Sequence, residues 1–245
     1  MRTAAISAAL IAAACFFNSL GSFQVRGSRL ELPDVILWAW ERSEDLRFLE
    51  GQPTGVAFLA ATAFIAPDGH VRFHPRAQDL LLPPGAPVLA VVRIESAPRH
   101  ESVESKDLMF ELREIAGLPN VRGLQIDFDA RLSERSFYRT LLESMHAETT
   151  KPIAITALAS WCAGDRWFDG EPVDEAVPMF FRMGRNEPRD MEIQSPICRS
   201  SIGLSTDEAW PAKRCAGLKH IYLFSPRAWT KVSYLAALDR LQEWR

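Results

Sequence analysis

Short apolar, β-branched runs recur along this chain, separated by polar stretches of helical or turn character. Asp34 to Trp40 reads as a first strand and Gly55 to Ile65 as a second. Pro67-Asp68-Gly69 is a turn signal, and His70 to His74 alternates as the return strand of a small hairpin would. Pro87 to Ser96, Val121 to Asp129 and Pro152 to Trp161 follow as third, fourth and fifth strands. Asp174 to Phe181, Ser201 to Ser205 and His220 to Ser225 complete eight. Between them the period changes to that of a helix. Lys106 to Ala116 carries an apolar stripe through Leu108-Met109-Phe110, Leu112 and Ile115. Ser133 to His146 places Phe137, Leu141, Leu142 and Met145 on one face, with Ser133 as its candidate N-cap. Lys231 to Trp244 closes the chain with Leu235, Leu238 and Leu241 turned inward, and Ser43 to Glu50 suggests one more short helix. The segments after the fifth, sixth and seventh strands are only weakly helical.

Eight strands with helices between several of them predict an α/β protein of the (β/α)8 TIM-like barrel type, one domain over residues 30–245, with a small β-hairpin inserted after the second strand. The competing arrangement is a doubly wound open sheet. A nucleotide-binding sheet of that kind carries a glycine-rich loop after its first strand. Trp38-Ala39-Trp40-Glu41 has no glycine there, which favours the barrel.

The fourth strand breaks its own pattern. A strand buried in a parallel sheet is nearly continuously apolar. In Val121-Arg122-Gly123-Leu124-Gln125-Ile126-Asp127-Phe128-Asp129, however, Gln125, Asp127 and Asp129 share one face. Ionised carboxylates are costly to bury without partners. In a barrel they would stand at the C-terminal end of the strands, where active sites lie. Other strands end in polar or aromatic residues too: Trp38, Trp40 and Glu41 on the first, Arg93 and Glu95 on the third, Trp161 on the fifth, Arg182 on the sixth, Asp207 and Glu208 on the seventh.

A mouth of acids, arginines and tryptophans suits a carbohydrate. Indole faces stack on the C–H faces of sugar rings, and carboxylates bind hydroxyls. Glycoside hydrolysis needs two acidic side chains, one to protonate the leaving oxygen. Asp129 is the candidate general acid and Asp127 its assistant. Gln125, Arg182, Arg93, Glu95, Glu41, Asp207 and Glu208 are candidate substrate contacts, and Trp38, Trp40 and Trp161 candidate sugar platforms. The alternative is a non-catalytic cell-envelope protein that binds a glycan or peptide in the same cleft. At single positions blander roles compete, such as an Arg93–Glu95 structural pair or Arg182 neutralising Asp127. No His stands beside a Ser or Cys in a catalytic arrangement, no G-x-S-x-G elbow occurs, and no spacing selects a metal or cofactor.

The 245 residues are 47% apolar and 24% charged, an ordinary globular composition, with a net charge of -3. No basic run offers a surface for phosphates, so nucleic acid is not an expected partner. The N-terminus reads as a leader over residues 1–21: Arg2, then the nearly unbroken apolar stretch Ala4 to Phe17, then small and polar residues. That stretch is shorter than the ~20 residues of a spanning helix. Ala12-Ala13-Ala14-Cys15 offers a second route, with Cys15 as a lipidated residue. The expectation is export to the periplasm, with membrane contact only through the leader or a lipid anchor. Beyond the leader lie Cys162, Cys198 and Cys215. Cys198 and Cys215 precede successive strands and are the candidate disulfide, which an oxidising compartment would allow. Three free buried thiols are the alternative.

The chain resembles the bacterial family called domain of unknown function 3142. The resemblance is carried by Val35 to Arg42, Gly123 to Ala130, Ile155 to Cys162, Val173 to Gly184, Ser201 to Glu208 and Tyr222 to Arg227. Locally, Gly123 to Asp129 is similar to the fourth-strand motif D-x-x-D-x-D-x-E of glycoside hydrolase family 18. That resemblance implies a proton donor at Asp129 and an assisting acid at Asp127. Arg122 and Gln125 stand where the motif has its first two aspartates, and Asp129 is one methylene shorter than the motif's glutamate.

Overall fold

A computed structural model describes residues 29–245 apart from 101, 104, 184–189 and 213–216. The leader, Cys15 and Cys215 lie outside the described residues. Eight parallel strands close into a barrel: β1 (Val35–Ala39), β2 (Thr54–Ile65), β3 (Val88–Ser96), β4 (Val121–Asp127), β5 (Ile153–Leu158), β6 (Glu175–Met179), β7 (Ser201–Ser205) and β8 (His220–Phe224). Each pairs with its neighbours in sequence, and β1 closes the ring by pairing with both β2 and β8. The expected hairpin follows β2, where Val71–Pro75 returns antiparallel to Ala61 through Ile65.

The alternation of side chains sorts the apolar residues into two cores. Outward-facing positions such as Leu37, Val92 and Ile126 pack in one cluster with the surrounding helices and loops. Inward-facing positions such as Ile36, Trp38, Leu89, Val91, Val177 and Tyr222 fill the lumen. Gly123 faces the lumen as well. A Cβ there would come within 2.8 Å of Leu30 Cδ1 and 2.9 Å of the Pro152 carbonyl oxygen, so only glycine lets the chain ahead of β1 reach the barrel floor. Toward the N-terminal ends of the strands, buried Glu175 receives His220 Nδ1 at 3.0 Å and the Tyr222 hydroxyl at 3.3 Å. Conserving the barrel is the ordinary work of that face, away from the chemistry.

Three α-helices flank the barrel among the described residues: α1 (Lys106–Ala116) after β3, α2 (Arg135–Glu148) after β4 and α3 (Lys231–Trp244) after β8. None is long and apolar enough to cross a membrane. Details differ from the pattern reading. Ser133 does not cap α2, because it lies within a 3-10 turn, Leu132–Glu134, that leads into the helix. On α3 the buried face is Tyr234, Ala237 and Leu241, while Leu235 is exposed. Ser43 to Glu50 forms no α-helix. Glu44–Asp45 instead pairs with Leu80–Leu81, and a 3-10 turn follows at Arg47–Leu49. Buried Glu44 explains this, since it accepts from the Arg42 guanidinium and from the Trp229 backbone N–H, contacts that an isolated helix there would forgo.

The disulfide joins Cys198 to Cys162, not to Cys215, with the two Cα atoms 6.0 Å apart. After β5 the chain turns through Trp161–Asp165, and the Cys162 carbonyl accepts the N–H groups of Gln194 and Ser195. Those bonds lay the stretch before β7 against the turn after β5 and bring the sulfurs together. Position before a strand, the basis for pairing Cys198 with Cys215, says nothing about such a loop contact.

The bridge spans 36 residues in sequence. Loop-closure entropy assigns such a bond about 4 kcal/mol. At ~2–4 °C per kcal/mol for a chain of this size, the double substitution Cys162→Ser/Cys198→Ser lowers Tm by roughly 8–16 °C. Reductant does the same to the wild type and nothing to the double variant, as followed by circular dichroism.

Candidate active site

β1 crosses the lumen with Trp38, which is only 2% exposed. Its indole N–H donates to Gln125 Oε1 on β4 at 3.0 Å. Gln125 is fully buried, and its amide nitrogen has no hydrogen-bond partner among the described residues. The indole fits because β7 has glycine opposite it. A Cβ on Gly203 would stand 3.2 Å from Trp38 Cη2 and 2.9 Å from the Met179 sulfur. Trp38 also packs on Tyr222 and edge-on to Phe181, with ring centroids 5.4 and 6.0 Å away.

Above this layer the strand register builds a polar row. Arg93 on β3 pairs in register with Asp127 on β4. Asp127 Oδ1 accepts the Thr156 hydroxyl from β5 at 2.7 Å, and its Oδ2 lies 3.6 Å from the Arg93 guanidinium. Arg93 also donates to Glu95 at 2.7 Å and lies over the Trp40 ring at 5.4 Å. The Asp127 side chain is 14% exposed. Burial raises its pKa above the ordinary carboxylate value. The Thr156 hydroxyl and Arg93 pull it back, while Asp129 and Glu95 push it further up.

β4 ends at Asp127. Phe128 then turns outward against Phe137 and Tyr138 of α2, and Asp129 emerges exposed at the rim. Buried Glu134 anchors this loop. It accepts from the Arg131 backbone N–H at 2.7 Å, from the Ser96 hydroxyl at 2.5 Å and from the Arg131 guanidinium. The two acids therefore occupy different environments, one inside the mouth and one in water.

Trp38, Trp40, Arg93, Asp127, Asp129 and Arg182 line one cavity of about 170 Å³. Its remaining wall is Val91, Thr156, Leu158, Met179, Phe181 and Phe224. An adjoining groove of about 340 Å³ shares Arg93, Asp127 and Asp129 and runs over Phe64, Glu95, Ser96 and Arg131. The cavity is smaller than the ~300–1,000 Å³ of pockets that enclose a drug-sized ligand. It takes a ring-sized group and leaves the rest of a longer ligand to the groove. No cluster of three or more His, Cys, Asp or Glu side chains suited to a metal ion occurs among the described residues.

Four expected contacts stand elsewhere. Trp161 is buried against Trp167 and Phe168, with ring centroids 5.2 and 6.2 Å away, because the chain turns at the end of β5 and carries it behind the barrel wall. Glu41 accepts the backbone N–H groups of Ala77 and Gln78, fastening a loop. Asp207 accepts the Ser205 hydroxyl within its own turn. Glu208 accepts the Arg182 backbone N–H at 2.9 Å, so it holds a site residue without lining the cavity. Arg93, not Arg182, is the arginine beside Asp127. The strand pattern could have supplied the missed wall residues. Thr156 and Leu158, and likewise Tyr222 and Phe224, are two apart on strands whose inward parity is set by their neighbours.

Comparisons with family models, with curated proteins and with solved structures find no match to this chain.

The raised pKa of Asp127 has a consequence for stability. The folded carboxyl keeps its proton to higher pH than the unfolded one, so its ionisation opposes folding. Its contribution is fully present below the unfolded value near 3.8 and is lost as pH rises through the folded value. Asp127→Asn keeps an oxygen for Thr156 and removes the charge. The variant melts above wild type at neutral pH, and the gap closes as pH falls below the unfolded value near 3.8, where the wild-type carboxyl is protonated both folded and unfolded. Melting curves across this range check it; a variant less stable than wild type at neutral pH would contradict it.

Proposed function

We propose that this chain is a glycoside-hydrolase-like barrel protein that acts on a carbohydrate by acid catalysis. The observation that carries the reading is Asp127: a carboxyl of raised pKa, largely but not fully buried at the C-terminal mouth of a barrel, beside a second acid and between an aromatic-walled pocket and a polar groove. A sugar ring in the pocket, with the next unit in the groove, would bring the bond between them over Asp127 and Asp129.

The roles follow from the two environments. A general acid must hold its proton, and burial favours the protonated form of Asp127. Asp129, exposed at the rim and lining the groove, is placed to assist water or the sugar. This exchanges the roles implied by the family 18 motif. Thr156 and Arg93 orient the Asp127 carboxyl, and Trp38 supports the layer beneath it through Gln125. Trp40 and Phe224 offer the apolar wall for a ring. The leader pattern and the disulfide support an exported protein, since such bonds persist in oxidising compartments.

One observation favours the non-catalytic reading. Asp127 already engages Thr156 and Arg93, a pairing that also suits a purely structural carboxyl. Activity separates the two. In a screen of glycans, Asp127→Asn lowers hydrolysis by ~100-fold or more, the usual contribution of a general acid. Asp129→Asn also lowers it, and wild-type activity falls as pH rises through the raised pKa of Asp127. Cleavage indifferent to both substitutions would sink the assignment. Glycan binding without turnover, retained in Asp129→Asn, would establish the binding protein instead.

A further inference from the structure

Arg182 is built into the mouth in an unusual way. Its φ is 53°, in the left-handed region that side-chain-bearing residues seldom adopt. Such strain persists only where the surroundings enforce it. The enforcement is visible here. The Arg182 N–H is held by Glu208, and the turn bearing Glu208 is held from outside by Arg240 of α3. The Arg240 guanidinium donates to the carbonyls of Thr206 at 2.9 Å and Glu208 at 2.7 Å, and lies over Trp210 at 4.1 Å. A helix, a turn and a carboxylate thus fix the point from which the Arg182 side chain departs. That side chain lies over the Phe224 ring, 5.2 Å from its centroid, and lines the cavity.

The two arginines of the cavity differ in their company. Arg93 has Glu95 and Asp127 beside it. Among the described residues the Arg182 guanidinium has no carboxylate or carbonyl partner; Phe224 is its neighbour. They also differ in place. Asp127, Asp129 and Arg93 belong to β3 and β4, whereas Arg182 follows β6, two strands on from β4, and Phe224 ends β8, across the barrel from β4. The acids that line the cavity, Asp127 and Asp129, therefore stand at one part of the mouth, and the Arg182 guanidinium, with no carboxylate on it among the described residues, stands on an aromatic wall at another. A guanidinium presents a fork of N–H donors that matches a carboxylate.

We propose that the ligand is an acidic carbohydrate, whose carboxylate is bound by Arg182 while its glycosidic bond lies toward Asp127. This rests on the carbohydrate reading above and narrows it. Asp129 and Glu95 would repel the carboxylate from the rim at β3 and β4, so the charges also set the direction in which the ring enters.

The test compares a short oligouronide with the same oligomer after its carboxyl groups have been reduced to alcohols, titrated by calorimetry into the full-length protein. A charge-assisted contact of ~1.5–3 kcal/mol makes the acidic oligomer bind roughly tenfold or more tightly. Arg182→Gln abolishes that preference, and Arg182→Lys, which keeps the charge, restores part of it. Melting curves show that both variants are folded. Equal binding of the two oligomers, or a preference unchanged in Arg182→Gln, overturns the acidic-ligand proposal and leaves the carbohydrate reading standing. Failure of wild type to bind either oligomer or any neutral glycan overturns both.

Discussion

The hydrogen bond from the Trp38 indole to Gln125 ties opposite sides of the barrel together through its lumen. A closed parallel barrel must fill its interior, and here one large side chain does much of the filling. Trp38 can lie across the lumen only because Gly203 leaves space on β7 and because Gln125 supplies an acceptor for an otherwise buried donor. This layer is the base on which the mouth is built. Two residues further along β1 stands Trp40, and two further along β4 stands Asp127. Both share the parity of the residue beneath them, and both line the cavity.

From that base the site assembles by register. Arg93 meets Asp127 across β3 and β4, and Thr156 reaches the same carboxyl from β5. Parallel pairing sets side chains of equal parity side by side, so a polar residue on one strand finds its partners on the next. Burial then does the chemical work. It is the largest influence on Asp127, and it favours the protonated form of that carboxyl. The irregular segments complete the mouth. Glu134 anchors the loop after β4, and Glu208 with Arg240 anchors the turn that holds Arg182.

Much of this was legible along the chain. The eight apolar runs became the eight strands, and the hairpin after β2 formed where its turn residues stand. Gln125 and Asp127 stood out because they interrupt a run that burial on both faces would keep apolar. Trp38, Trp40, Arg93, Asp129 and Arg182 were found by the rule that strand ends gather at one mouth, and all five line the cavity. The same rule failed for Trp161, Glu41, Asp207 and Glu208. Each lies where the chain has already turned, so the strand's inward direction no longer governs its side chain.

Local pattern therefore determined the strands, their order and which residues could face inward, because strand formation and face alternation depend on neighbours one and two positions away. Contacts between distant segments were decided only by the folded chain. The disulfide formed between Cys162 and Cys198 because two loops lie together, a proximity that no spacing encodes. The acidity of Asp127 depends on the depth at which β4 sits and on Arg93 and Thr156 from other strands. That the Arg182 guanidinium meets the Phe224 ring and, among the described residues, no carboxylate depends on where β3, β4, β6 and β8 end around the mouth. Electrostatics acts through space and through burial, so chemistry of this kind waits on the tertiary structure even where the sequence has already named the residues.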